Sequence, residues 1–255
     1  MLLAVDVGNT ETKLGLFDPS AREPKRHWRL TTDVRRTGDE LVALIAQLFA
    51  LDGLNPRDID DIVIASVVPR LDASLVDCAQ CLVAKIPRFL RPHEQNIMRI
   101  CTDRPAEVGA DLVASAIGAH ARYGAPLIVV SYGTATVFTA IDSDGAYAGA
   151  AIAPGITTSI DALIGRTAKL PQVALVAPPH AIGRDTTHAL QSGVIFGFVG
   201  QTEALVRRFR VELGADARVI ATGGLAATVA SHCALIDSVM PHASLEGLRL
   251  FAMSS

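Results

Sequence analysis

The stretch LAVDVGNTETK, residues 3–13, decides the fold of this chain. Apolar residues on both sides of a Gly-Asn-Thr run predict two strands, 2–7 and 12–17, joined as a hairpin by a polar turn. An acid, Asp6, stands at the end of the first strand, just before the turn. This arrangement of an acid beside a glycine turn occurs a second time in the chain, in altered form.

The altered copy is IVVSYGTAT, residues 128–136, which again predicts a buried strand that runs into a small-residue turn and a second strand. Ser131 stands 125 positions after Asp6, and the turn residues match at the same offset, Gly133 with Gly8 and Thr134 with Asn9. Elements of similar kind and order follow, which indicates an internal duplication. The predicted domains are 1–124 and 125–255, each of the α/β class.

Local patterns predict the remaining elements. In the first half these are a strand at 26–33, a helix after a capping box at Thr37 and Glu40, a strand at 58–69, a helix at 71–86, a short strand and loop at 97–108 and a helix at 111–122. In the second half these are a strand at 145–155, helices at 156–170 and 187–213, a strand at 218–222 and a closing helix at 242–254.

Composition bounds the class of protein. Of 255 residues, 50% are hydrophobic and 19% are charged, which provides a substantial core and excludes a disordered chain. The net charge of −3 offers no electrostatic footprint for nucleic acid or acidic membranes. There is no apolar run of membrane-spanning length and no basic segment before Asp6, so we expect a cytoplasmic protein without a signal peptide. Cys78 and Cys81 lie on a helical pattern that favours packing over redox or metal chemistry.

The first turn has the residue types that bind phosphate and Mg²⁺. Glycine allows backbone N–H groups to approach an anion, and the side chains of Asn9 and Thr10 offer further hydrogen bonds. Asp6 is suited to a hydrated Mg²⁺, and Lys13 to a phosphate charge. The alternative is an ordinary hairpin whose polar residues serve only turn geometry.

A third glycine turn, ATGGLAA at 221–227, also follows a predicted strand. Two turns that face each other would clamp a triphosphate, and the third could lie against a nucleotide base. Three such turns in duplicated halves are typical of the actin-like, sugar-kinase and heat-shock ATPase superfamily.

Asp111, in EVGADLVASA, stands at the start of a predicted helix. One interpretation is an N-cap carboxylate, which stabilises a helix by about 1 kcal/mol. The other is a general base that accepts a hydroxyl proton during phosphoryl transfer.

Eight motifs together resemble the type III pantothenate kinases over nearly the whole chain. They are DVGNTETK (6–13), ASVVP (65–69), GAD (109–111), GTAT (133–136), IAPGI (152–156), TAKLP (167–171), GRDTTHALQSG (183–193) and TGGLA (222–226).

The resemblance implies two ribonuclease-H-like, actin-like ATPase domains with an ATP cleft between them, usually in a homodimer. It implies ATP with Mg²⁺, and often K⁺ or NH₄⁺, and phosphorylation of the primary hydroxyl of pantothenate in the first step of coenzyme A biosynthesis. Nucleic acid and membranes are not expected partners.

The resemblance also implies site residues. Asp111 would be the catalytic base, and Asp6 would organise Mg²⁺. The implied ATP contacts are Asp6, Val7, Gly8, Asn9, Thr10, Glu11, Thr12, Lys13, Gly133, Thr134 and Gly223. The implied pantothenate contacts are Gly109, Ala110, Asp111, Leu112 and Thr186.

Three positions depart from the family pattern. Leu112 stands where the family usually has Arg, Ser131 where it has the Asp that binds the monovalent cation, and Thr102 where it has Tyr. Loss of the carboxylate at Ser131 should weaken the cation site. Three interpretations remain: a pantothenate kinase with altered cation use, a kinase of a related hydroxyl substrate, or a nucleotide-binding relative with a regulatory role.

Overall fold

The computed structural model describes residues 1–18, 20–167 and 170–254. Ala168 and Lys169 of the TAKLP motif lie outside the described residues. The chain divides into two compact units. Unit 1 comprises Met1–Ala121 and the C-terminal segment that begins at His242, and unit 2 comprises Arg122–Pro241.

The elements are numbered in chain order. The strands are β1 (Leu2–Val7), β2 (Glu11–Phe17), β3 (Arg26–Thr31), β4 (Asp61–Ser66), β5 (Arg88–Phe89), β6 (Leu127–Tyr132), β7 (Ala135–Ile141), β8 (Tyr147–Pro154), β9 (Arg218–Thr222) and β10 (Ser238–Val239). The helices are α1 (Gly38–Leu51), α2 (Asp72–Val83), α3 (Ala110–Tyr123), α4 (Ile156–Gly165), α5 (Thr186–Leu213), α6 (Ala226–Ala230) and α7 (Ala243–Met253).

The sheet of unit 1 has the strand order β3-β2-β1-β4-β5. β1 and β3 pair antiparallel with β2, whereas β4 pairs parallel with β1 and with β5. Successive side chains of a strand point to opposite faces. Leu3, Val5 and Val7 therefore enter one apolar core with residues of α1 and α2. Asp6 lies on the opposite face, where α7 packs.

Unit 2 repeats this topology. Its sheet has the order β10-β9-β6-β7-β8, with the same antiparallel hairpins and parallel crossovers. Ile128, Val130 and Tyr132 of β6 point into an apolar core with α4 and α5. The predicted α/β fold with duplicated ribonuclease-H-like units is confirmed.

The two hairpins differ by one residue in the turn. β1 and β6 keep the offset of 125 along their whole length. Four residues separate the paired Val7 and Thr12, but only three separate the paired Tyr132 and Thr136. The second turn is therefore one residue shorter.

The C-terminal helix corrects the predicted domain limits. The prediction assigned 125–255 to the second domain, but α7 belongs to unit 1, where it packs on β1, β2 and β4. The physical reason is that α7 covers the face of the first sheet that α1 and α2 leave open. No local pattern reveals which sheet a terminal helix covers.

The short strand predicted within 97–108 is wrong. The structure has β5 at Arg88–Phe89 and, within 97–108, the short 3-10 helix Pro105–Glu107. β5 pairs with β4 through two residues, which is too few for a period-two pattern to be visible. The capping box predicted at Thr37 and Glu40 is confirmed, with both reciprocal hydrogen bonds formed.

The C-x-x-C pair lies on α2, as the pattern predicted. Cys78 is buried, and burial raises the pKa of its thiol to about 12, whereas Cys81 is exposed. Both cysteines are free, and packing explains only Cys78. In the described parts of the chain, no helix is long and apolar enough to cross a membrane.

Helices α3 and α7 touch through their backbones. A Cβ added at Gly247 would overlap the carbonyl of Ala114, and one added at Gly118 would overlap the carbonyl of Ala243. The overlapping atoms are main-chain atoms and cannot turn aside as a side chain could. Glycine is therefore required at both positions for this close approach.

We expect Gly247→Ala to lower the free energy of unfolding of unit 1 by about 1–3 kcal/mol or more, because the two helices must separate. Urea titration followed by circular dichroism and by the fluorescence of Trp28, the single tryptophan, measures the change. Gly197→Ala in α5 is the matched control, since a Cβ there meets no atom within 4 Å. That variant should keep or gain stability, by up to about 1 kcal/mol. Equal midpoints for Gly247→Ala and the unsubstituted protein would contradict the prediction.

Candidate functional site

Asp6 and Lys13 face each other across the β1–β2 hairpin. They are direct partners in the antiparallel register, and Lys13 Nζ donates to Asp6 Oδ2 at 3.2 Å. The Asp6 carboxylate raises the pKa of Lys13 above its usual value, against the opposing effect of burial, with smaller contributions from Glu11 and Asp111. Lys13 is therefore a cation paired with Asp6 near the turn of the first hairpin.

The carboxylate of Asp6 is almost completely buried, with 3% of the residue exposed. Its Oδ2 accepts a second hydrogen bond, from Ser244 Oγ at 2.6 Å. Its Oδ1 is buried and, among the described residues, has no hydrogen-bond partner. A buried carboxylate oxygen without a partner is costly. This atom is therefore suited to a ligand that the chain alone does not supply.

The donor set around Asp6 fits Mg²⁺. Magnesium prefers oxygen ligands, keeps several of its waters and takes only one or two protein carboxylates. Across residues 1–18, 20–167 and 170–254, no group of three or more His, Cys, Asp or Glu side chains could hold a metal. A site built for Zn²⁺ is thus not found there, whereas the free Oδ1 of Asp6 provides one anionic oxygen.

The turn between β1 and β2 is closed by a hydrogen bond from Gly8 N to Glu11 O at 3.0 Å. Asn9 and Thr10 are exposed. Val7 and Thr12, which the resemblance also assigned to ATP, are buried. The Thr12 hydroxyl is paired with that of Thr32 at 2.8 Å. The exposed turn residues and Lys13 are thus the accessible part of this predicted segment.

Asp111 lies in the first turn of α3. The helix begins at Ala110, so Asp111 is its second residue, and the N-cap alternative is wrong. Asp111 Oδ1 accepts the adjacent N–H of Leu112, at 2.9 Å. Its orientation depends on Gly109, because a Cβ there would lie 2.6 Å from Asp111 Oδ1.

Burial is the largest cause that raises the pKa of Asp111, to about 6, and the negative charge of Asp6 adds to it. The backbone hydrogen bond from Leu112 and the charge of Lys13 oppose the shift. A carboxylate with a pKa near 6 is a better proton acceptor than an ordinary aspartate and is still ionised at neutral pH. Asp111 thus has the ionisation properties that a general base requires.

Two other residues predicted to bind the acceptor, Ala110 and Leu112, are the apolar neighbours of Asp111 in the first turn of α3. Ala110 is buried and Leu112 partly buried, and a Cβ at Gly109 would lie 3.6 Å from both the Leu112 and the Val67 side chains. Thr102 is partly buried, and its hydroxyl has no hydrogen-bond partner among the described residues.

The other predicted site residues lie in unit 2. Ser131 is partly buried in β6, between Val137 of β7 and Thr222 of β9. Gly133 and Thr134 form the exposed turn, and Gly133 N donates to Ala135 O at 3.0 Å. Thr186 is the exposed first residue of α5.

Gly223 follows β9 with φ +96°, a conformation that favours glycine. A Cβ there would overlap the backbone of Tyr132, so this turn packs tightly against the end of β6.

Sequence reasoning missed Ser244. It is 6% exposed and comes from α7, 238 positions away from the Asp6 carboxylate that it contacts. The segment HASLEGLRLFAMS shows only helical periodicity. Nothing in the local pattern indicates a contact with the first hairpin.

Comparison with known families decides the relationship. The family model described as type III pantothenate kinase matches residues 2–208. The chain belongs to the type III pantothenate kinase family. Membership of this family makes it a kinase. The family resemblance inferred from the eight sequence motifs is confirmed.

Curated relatives and solved structures agree with this assignment. A type III pantothenate kinase of Myxococcus xanthus (strain DK1622) is 43% identical over 98% of this chain and 97% of its own length. One from Roseiflexus sp. (strain RS-1) is 45% identical with the same coverage. Two solved structures share the fold. They are a putative Baf family transcriptional activator from Campylobacter jejuni (TM-score 0.63, 17% identity, 99% of this chain and 98% of that one) and a putative 2-dehydro-3-deoxygalactonokinase from Sinorhizobium meliloti (TM-score 0.59, 13% identity, 100% and 96%).

The raised pKa of Asp111 predicts a pH-dependent gain in stability for Asp111→Asn. In the fold this carboxyl is ionised above about pH 6, but in the unfolded chain above about pH 4. The cost of its buried charge is thus fully present above pH 6 and disappears as pH falls toward 4. We expect the variant to be more stable by on the order of 2 kcal/mol at pH 8 and equal to the unsubstituted protein at pH 4.

Urea titrations at several pH values, without metal or nucleotide, measure this difference. Asp103→Asn, at an exposed aspartate, is the matched control and should show no such pH dependence. A gain for Asp111→Asn that stays constant from pH 4 to 8 would exclude the raised pKa as its cause.

Proposed function

We propose that this member of the family transfers the γ-phosphoryl group of ATP to the primary hydroxyl of pantothenate. The product would be 4′-phosphopantothenate, in the first step of coenzyme A biosynthesis. The observation that carries the proposal is the cluster of Asp6, Lys13 and Asp111 in unit 1. Two carboxylates with different partners and one cation are the parts that this reaction requires.

Asp111 is the proposed catalytic base. Its carboxylate would accept the proton of the attacking hydroxyl as the oxygen bonds to phosphorus. Burial, the largest cause of its raised pKa, would also limit the access of competing water to the carboxylate. Gly109, Ala110 and Leu112 would contact pantothenate at this end of α3, together with Thr186.

The first hairpin is the proposed phosphate site. The backbone of the turn at Gly8, the exposed Asn9 and Thr10, and the Lys13 ammonium would bind the phosphates of ATP. Asp6 Oδ1 would hold Mg²⁺, which, when bound, supplies charge neutralisation for the transferred phosphoryl group. Gly133, Thr134 and Gly223 are further proposed ATP contacts. The placement of ATP between the two halves stays a prediction.

Ser131 changes the proposed use of a monovalent cation. The position keeps one oxygen but has no negative charge, so attraction for K⁺ or NH₄⁺ is weaker than at a carboxylate. The Leu112 side chain likewise offers no charge-assisted hydrogen bond to the pantothenate carboxylate. Such a bond is typically worth ~1.5–3 kcal/mol, so we expect weak acceptor binding.

We expect Mg²⁺-dependent and ATP-dependent phosphorylation of pantothenate that proceeds at similar rates in K⁺ and in Na⁺. Asp111→Asn should lower kcat by about 10²–10⁴-fold, because the proton acceptor is lost. The rate of the unsubstituted enzyme should fall below about pH 6, where Asp111 is protonated. A coupled assay for ADP, with the phosphorylated product identified by mass spectrometry, measures each rate.

Ser131→Asp is the matched variant for the cation, and we expect it to make the rate respond to K⁺.

If ATP binds but pantothenate is not phosphorylated, the proposal fails. A kinase of a related hydroxyl substrate or a regulatory relative would then account for the altered residues, and a screen of other hydroxyl acceptors separates the two.

We further propose a cytoplasmic homodimer, supported by family membership and by the edge strand β8. One face of β8 is apolar and exposed, with Ile152 at 72% exposure, and an edge strand of this kind readily pairs with a second copy.

Light scattering coupled to gel filtration should give the mass of two chains, and Ile152→Lys should shift this mass toward that of one chain. The exposed control Val211→Lys on α5 should stay dimeric. A single-chain mass for the unsubstituted protein would refute the dimer.

A further inference from the structure

The two oxygens of the Asp6 carboxylate differ in their hydrogen-bond partners. Oδ2 accepts hydrogen bonds from Lys13 Nζ at 3.2 Å and from Ser244 Oγ at 2.6 Å. Oδ1 accepts none from the described residues, although it is equally buried. Both protein donors therefore hold the same oxygen, and the other oxygen is left for a ligand.

The two donors differ in what they can achieve. Lys13 is a flexible, charged side chain, partly exposed, whose ammonium can also bind an incoming phosphate. Ser244 is short, neutral and buried, and its hydroxyl has little freedom once α7 is docked. When Lys13 turns toward phosphate, Ser244 is the donor that still fixes the carboxylate plane.

The position of Ser244 is itself strictly determined. It is the second residue of α7, next to Ala243 and one turn before Gly247. Those neighbours are in main-chain contact with α3 at Gly118 and Ala114. The helix that carries Asp111 thus also sets the position of the donor to Asp6.

We propose that Ser244 is a positioning residue, which orients the Asp6 carboxylate so that Oδ1 faces the divalent cation. It acts through Asp6 and does not touch the reacting atoms. This inference rests on the proposed function, because it requires that Asp6 binds Mg²⁺. A hydrogen bond with only a structural role would stabilise unit 1 without any effect on metal affinity.

The test compares nucleotide affinity with and without metal. The affinity for a non-hydrolysable ATP analogue is measured by calorimetry in excess Mg²⁺ and in EDTA, and the ratio of the two affinities isolates the contribution of the metal. In Ser244→Ala we expect this ratio to fall about tenfold, since one hydrogen bond to a charged group is lost. The affinity in EDTA should change by less than about twofold.

Three further variants complete the comparison. Ser244→Thr keeps the hydroxyl and should retain most of the ratio. Ser244→Cys keeps the side-chain volume but replaces the donor with a weak one, so it should follow Ser244→Ala and serves if the alanine variant does not fold. Ser254→Ala, at the exposed residue just after the same helix, removes a hydroxyl that donates to the backbone carbonyl of Phe251 and should leave the ratio unchanged.

The outcomes separate this proposal from the proposed function. If the unsubstituted protein binds the analogue equally well with and without Mg²⁺, the metal role of Asp6 fails and the role of Ser244 fails with it. If the unsubstituted protein depends on Mg²⁺ and Ser244→Ala keeps the same ratio, only the positioning role is refuted. Thermal unfolding of each variant shows whether lost stability accompanies the change.

Discussion

The main-chain contact between α3 and α7 is the constraint on which the active geometry of unit 1 depends. Two glycines, Gly118 and Gly247, allow the helices to approach more closely than any other residue would permit. One helix carries Asp111, and the other carries Ser244, which holds Asp6. The contact therefore links the proposed base to the proposed metal ligand through two helices.

The electrostatics of the site follow from unequal partners. Asp6 has a cation and a hydroxyl on one oxygen, so its buried negative charge is compensated. Asp111 Oδ1 accepts the backbone N–H of Leu112, and both burial and the negative charge of Asp6 raise the pKa of this carboxyl. Two aspartates of one cluster thereby acquire different chemistry, one suited to a metal and the other to a proton.

The two halves of the chain share their strand order and directions but differ in the side chain at the end of the central strand. Both sheets have the same order and strand directions, because strand pairing depends on backbone hydrogen bonds and on the buried apolar faces. Neither depends on the side chain at the end of the central strand. The second half therefore has Ser131 at the position equivalent to Asp6, and its turn is one residue shorter, but its strand order is the same as in the first half. Strand pairing thus explains how a chain of this family can differ at a ligand position and keep the fold.

The sequence by itself determined the hairpins, the capping box at Thr37 and most of the helices, because each of these depends on residues that are close together in the chain. It also determined the family, because eight short motifs follow one another in the same order along nearly the whole chain. It also indicated Asp6, Lys13 and Asp111 as candidates for metal binding, phosphate binding and proton transfer. Only the tertiary structure decided that α7 belongs to unit 1, that Ser244 holds Asp6, and that the pKa of Asp111 is raised. Contacts across 238 positions and the burial of a carboxylate depend on which distant elements pack together, and the periodicity of a local stretch shows its apolar face but not its packing partner.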